Sequence, residues 1–202
     1  VIGLIAAVAA TAGDLVLLLA SNAGRPGLEW LPRPSDGALV AGTYLGVVAI
    51  PCYGLGYCEV ARSFADERVR WWITALGTTG GVLGGTTHGL TGLVVHVTRT
   101  TGAPPGDPVA VLAPYGAYLL PLWTAIALVS IAGALVYGAA VARGASTLPR
   151  WMALGNPLVL AAALGLVGAG GEVGRALLVP ASPNLAHVIF FALVTTTARP
   201  AP

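Results

Sequence analysis

Six ionisable side chains of this 202-residue chain, Asp14, Glu59, His88, His96, Glu172 and His187, lie inside or at the ends of long apolar runs. Near a bilayer centre such a group costs about 2.5–3.5 kcal/mol on insertion scales, so each one needs a reason to be there. A carboxyl that holds a proton, an imidazole that relays it and a wall of aromatic faces would together serve isomerisation, cyclisation or hydration of a lipophilic molecule. The aromatic faces come from Tyr44, Tyr53, Tyr57, Tyr118 and Trp123, which stabilise a passing cation. Asp14, His88 and His187 form the expected catalytic set. Tyr44, His96, Tyr118, Trp123, Glu172 and Asn184 are expected to bind the substrate.

Simpler roles compete with these. Asp14 could tie two helices together through a His or Arg, since buried ions are normally paired. Glu59 near Arg62, and Glu172 three residues before Arg175, read as helix-end pairs. Asn156-Pro157 reads as a helix start or a kink. Cys52 and Cys58 would stand about 9 Å apart along one helix and a third of a turn around it, too far for a bridge. They read as packed thiols. His88 and His96, about 12 Å apart along one helix, cannot share an ion, so no metal is expected. All ten basic residues are Arg, so no lysine exists to form a Schiff base. No cofactor is expected, although His88 and His187 on different helices could serve as the axial ligands of a haem.

Composition decides the class. The chain is 56% hydrophobic and 9% charged, against roughly a quarter charged in a soluble domain. The net charge is only +2 and there is no basic stripe, which excludes nucleic acid as a partner. What remains is an integral membrane protein whose partners are the bilayer and a lipophilic small molecule, with a homo-oligomer possible.

Six runs approach the roughly 20 residues that a spanning helix needs. They are Val1–Ala20, Gly37–Val60, Trp71–Val97, Ala113–Val141, Trp151–Gly171 and Asn184–Ala198. A cleaved leader fits the first run poorly, because no charged segment precedes it and Asp14 interrupts it. Between the runs, Ser21–Asp36, Arg62–Arg70, Thr100–Pro108, Arg143–Arg150 and Glu172–Pro183 read as loops on their prolines, glycines and charges. The expected fold is all-α, a single six-helix membrane bundle over residues 1–202. With both termini in the cytoplasm of a cell-membrane protein, six arginines lie inside and four outside.

In the third run, Gly77, Gly81, Gly85 and Gly89 recur every four residues beside Gly80, Gly84, His88, Gly92 and His96. Two such ridges let backbones approach closely, which predicts a central helix. With the segment midpoints as membrane centre and about 1.5 Å per residue, Asp14, His88 and His187 all fall about 6 Å toward the outer face. These residues are therefore expected to line one outer-half cavity. The function read from this layer is intramembrane acid–base catalysis on an isoprenoid-like substrate. The alternatives are a proton-coupled small-molecule transporter and a haem-bearing electron carrier.

Overall fold

The structure, a computed structural model, describes residues 1–100 and 113–197. It is all-helical: α1 (Ile2–Asn22), α2 (Asp36–Ala49), α3 (Tyr53–Ala61), α4 (Glu67–Thr100), α5 (Gly116–Ala142), α6 (Pro157–Gly168) and α7 (Val179–Thr197). Among the described residues no strand forms, and one isolated bridge pairs Phe64 with Ser146. Four stretches are long and apolar enough to cross a membrane: Ile2–Asn22, Asp36–Ala61, Ala113–Ala142 and Gly174–Thr197. The chain is a membrane protein. Helices α4 and α6 complete six helical segments, in rough agreement with the six predicted.

The fourth helix has 34 residues and is richer in Gly and Thr than its neighbours. Its threonines bring hydroxyls into an apolar setting and return them to the helix itself. Thr86, Thr87, Thr91 and Thr98 each donate to the carbonyl four residues back, at 2.7–3.0 Å. These four hydroxyls are thereby satisfied within the helix, which is the condition for lying in hydrocarbon.

The helices follow one another around a ring. Helix α1 packs on α2, α3 and α7, α2 and α3 on α4, α4 on α5, α5 on α6, and α6 on α7. The glycine ridge of α4 explains its place. A Cβ at Gly81 would stand 2.9 Å from the Ile50 carbonyl, and one at Gly85 2.8 Å from the Pro51 ring. Only glycine admits that approach. The ridge thus faces α2 and α3, while Val82 and Leu93 of the same helix point outward.

Three predicted boundaries change. The second run breaks at Pro51, where Cys52, Tyr53 and Gly54 bond three residues back instead of four, so α2 and α3 are separate helices. The fifth run shortens to Pro157–Gly168, with Asn156 as its N-cap accepting from Val159 N at 3.1 Å. Its first residues form a 3₁₀ turn at Arg150–Ala153. The sixth run starts earlier than Asn184. The chain enters α7 through a π turn, Gly174–Leu178, and runs straight through Pro183. Pro183 has no N–H for the Val179 carbonyl, and the Ser182 hydroxyl donates to that oxygen instead, at 2.8 Å. Most of the predicted loop Glu172–Pro183 is therefore helix. The predicted loop Thr100–Pro108 falls, beyond Thr100, outside the described residues, as do Ala198 and Arg199.

The connections 62–66 and 143–149 are joined by Thr147 N donating to Ser63 O at 2.8 Å. Exposed Trp71, Trp72 and Trp151 cluster at this end and exposed Trp30 sits at the other, as interfacial belts would have them.

Candidate functional site

Five helices, α1, α2, α3, α4 and α7, meet in one network around Asp14. Its Oδ1 lies 3.1 Å from His88 Nδ1, and its Oδ2 accepts from Asn184 Nδ2 at 2.6 Å. Asn184 Oδ1 in turn accepts from the Tyr53 hydroxyl at 2.7 Å. At the far end, His88 Nε2 lies 3.3 Å from the Gly42 carbonyl. A carbonyl only accepts, so His88 Nε2 carries a hydrogen. One further proton is shared between Nδ1 and the Asp14 carboxyl, and the pair is neutral overall wherever that proton sits. This is what allows a carboxylate and an imidazole, 16% and 5% exposed, to sit inside a membrane bundle. The ring fits because residue 46 is glycine: a Cβ at Gly46 would overlap the His88 imidazole.

Next to this cluster is a second one. His187 Nδ1 donates to the Pro183 carbonyl at 2.8 Å, which leaves the Nε2 lone pair to accept from the Tyr57 hydroxyl at 3.0 Å. The His187 ring stacks on Tyr53 with centroids 4.5 Å apart. Tyr53 and Tyr57 are four apart on α3, and Asn184 and His187 three apart on α7, so each pair projects from one face toward the other.

The second cluster opens on a cavity of about 250 Å³ inside the ring. Gly77, Gly80, Gly81 and Gly84 line it from α4, Val129, Gly133 and Tyr137 from α5, and Asn184 and His187 from α7. The cavity reaches the outside of the bundle beside Ala127 and Leu158, which line it and are exposed. Helix α6 is about 18 Å long beside the roughly 40 Å of α5, so it leaves much of that flank uncovered. Among the described residues, four buried side-chain polar atoms have no hydrogen-bond partner: His96 Nδ1, Arg99 Nη1, Tyr137 Oη and Ser146 Oγ. Of these residues Tyr137 alone lines the cavity.

The predicted site is thus brought together in part. Asp14 and His88 touch, as their matching depths implied, but neither lines the cavity. Only His187 and Asn184 of the predicted set do. Nor does the cavity lie on the side of the 23–35 connection, the side expected to be the outer one. Its lining residues on α3, on α4 before His88 and on the last half of α5 place it on the side of the 62–66 and 143–149 connections. The cause is the longer α7, which carries Asn184 and His187 to mid-helix.

Tyr44, Tyr118 and Trp123 point outward at 65%, 73% and 50% exposure. His96 lies two turns beyond His88, away from the cavity. Glu172 is exposed and rests against Gly27, while Arg175 donates to the Ala169 carbonyl at 3.0 Å. The pairing of Glu172 with Arg175 therefore does not form. Neither, among the described residues, does that of Glu59 with Arg62. A haem held by His88 and His187 meets an obstacle too, because both nitrogens of each ring are already hydrogen-bonded. Among the described residues, no three His, Cys, Asp or Glu side chains gather as a metal site.

A family model matches residues 1–199 of the chain. The chain belongs to the family of unknown function DUF6796. No curated protein matches it, and no solved structure does. For this DUF6796 member the chemistry has to be argued from the cavity and its two polar clusters.

Proposed function

We propose that this DUF6796 protein is an intramembrane acid–base enzyme of the cell membrane, acting on a lipophilic, isoprenoid-like molecule in the cavity. The observation that supports the reading most is the Tyr57–His187–Pro183 chain on a largely apolar wall. A hydroxyl bonded to an imidazole, itself oriented through its second nitrogen, is the arrangement that activates an oxygen for proton transfer. A substrate C–H proton goes to the Tyr57 oxygen as the Tyr57 proton passes to His187 Nε2. Returning both protons, with the substrate reprotonated at another carbon, shifts a double bond and restores the dyad. No net proton is consumed.

Asp14 and His88 take a positioning role in this reading. The Asn184 amide separates them from the cavity, and an amide carries no proton it readily gives up. They hold Asn184 and, through it, Tyr53, on which His187 stacks.

The test uses the protein in nanodiscs with a bacterial lipid extract in D₂O, followed by mass spectrometry of the extractable small molecules. Deuterium entering a carbon position of one lipophilic compound is the expected result, lost in His187→Gln and in Tyr57→Phe. Incorporation that persists in both variants, or is absent with the parent protein, overturns the reading.

A further inference from the structure

Tyr137 is 4% exposed, and its hydroxyl meets no hydrogen-bond partner. Leaving a buried hydroxyl unpaired costs about 1–3 kcal/mol. Among the described residues, the polar residues that are buried as a whole avoid that cost, since Asn22, Thr87, His88, Asn156, Ser182 and Asn184 all have partners; His96, Arg99 and Ser146, each with one unpaired atom, are only half-buried and lie away from the cavity. A Phe would serve the packing equally well. The Tyr137 ring meets Phe64 and Phe190 edge-on, at 6.0 and 5.4 Å between centroids, and neither contact uses the hydroxyl. Phe190 also packs on Tyr57 at 5.9 Å, so Tyr137 and the Tyr57–His187 pair flank one aromatic ring of the same cavity wall.

We infer that the occupant of this cavity carries one oxygen acceptor, a carbonyl or a hydroxyl, and that the Tyr137 hydroxyl donates to it. The inference rests on the proposed function only in taking the occupant to be lipophilic. Size narrows the class further. At about 30 Å³ per water-sized group, the cavity of about 250 Å³ holds roughly eight to ten non-hydrogen atoms, so a mono-oxygenated molecule of about seven to nine carbons fits whole. Within a bilayer such an oxygen has no better partner, because hydrocarbon offers no donor at all. Hydrogen bonding by Tyr137 therefore distinguishes the oxygenated molecule from the corresponding alkane, which the apolar walls alone would accept equally.

The probes are 2-nonanone and nonane, added to the protein in nanodiscs. The ketone should bind about five- to ten-fold more tightly than the alkane, the worth of one ordinary hydrogen bond. Its infrared carbonyl band should move to lower frequency on binding. In Tyr137→Phe the shifted band and the preference should both vanish, with the alkane still bound. Gly133→Leu, which fills the cavity from α5 and leaves Tyr137 in place, should abolish binding of both probes. That variant keeps the test decisive where Tyr137→Phe folds poorly. A shifted band that survives Tyr137→Phe overturns the inference, as does equal binding of the two probes by the parent protein, the result expected if a trapped water already satisfies the hydroxyl. Neither readout involves turnover. Loss of deuterium incorporation with an intact Tyr137-dependent band counts against the enzyme reading alone.

Discussion

Replacing Asp14 by Asn separates a directional hydrogen-bond scaffold from an ion pair. In the parent protein, Asp14 accepts from Asn184 and shares one proton with His88, whose other nitrogen donates to the Gly42 carbonyl. An asparagine at 14 repeats this pattern without the charge. Its oxygen accepts from Asn184, its amide donates to His88 Nδ1, and His88 keeps the Nε2 hydrogen. Every bond survives, so Asp14→Asn should cost less than about 1 kcal/mol, with the usual worth of a single hydrogen bond as the upper bound. Alanine removes both acceptors. Interhelical hydrogen bonds in membranes average about 0.6 kcal/mol and reach about 1.7, so the two lost by Asp14→Ala come to about 1–3 kcal/mol. The upper part of that range is favoured, since the His88 side chain is 5% exposed and little water can replace the lost acceptor. Unfolding of the detergent-solubilised protein by sodium dodecyl sulfate, or by steric trapping in bicelles, measures both variants. Deuterium incorporation in Asp14→Asn should stay within a few-fold of the parent. Equal destabilisation by Asn and Ala would refute the scaffold argument, because it would mean that charge holds the cluster together. Loss of all incorporation in a stable Asp14→Asn protein would return Asp14 to the catalytic set.

Two further predictions concern packing and orientation. Gly46→Ala places a Cβ on the His88 ring and should destabilise by about 1–3 kcal/mol, as overpacking does; Gly165→Ala, with nothing within 4 Å, should be neutral or gain up to about 1 kcal/mol by thermal unfolding in detergent. With Cys52 and Cys58 replaced by Ser, an impermeant maleimide should label Glu29→Cys from outside intact cells and should fail to label Asp66→Cys; the reverse pattern would invert the orientation that the arginine count suggests.

Much of the bundle is legible in the sequence because the bilayer imposes one-dimensional rules. Length and hydropathy gave the helical class and the approximate segments. The four-residue glycine period gave the ridge that Pro51 and Ile50 now occupy. Counting 1.5 Å per residue put Asp14 and His88 at one depth, and they are in contact. Asn156 before Pro157 was readable as a cap because both the side chain and the missing N–H act locally.

What the tertiary structure alone decided is direction around each helix axis. In water, an apolar stripe tells which face turns inward. In hydrocarbon the outer face is as apolar as the inner one, and that signal disappears. Tyr44 and Trp123, expected in the layer of Asp14, and Tyr118, expected just above it, therefore point away from the bundle, while Tyr57 and Tyr137 line its cavity. The same blindness applies to Pro183, which stops a helix in water but is carried through α7 by the Ser182 hydroxyl. That one continuation moves Asn184 from the rim, and His187 from its expected place off centre, to mid-helix, and with them the cavity from the half expected to be the outer one to the other side of the Asp14–His88 pair.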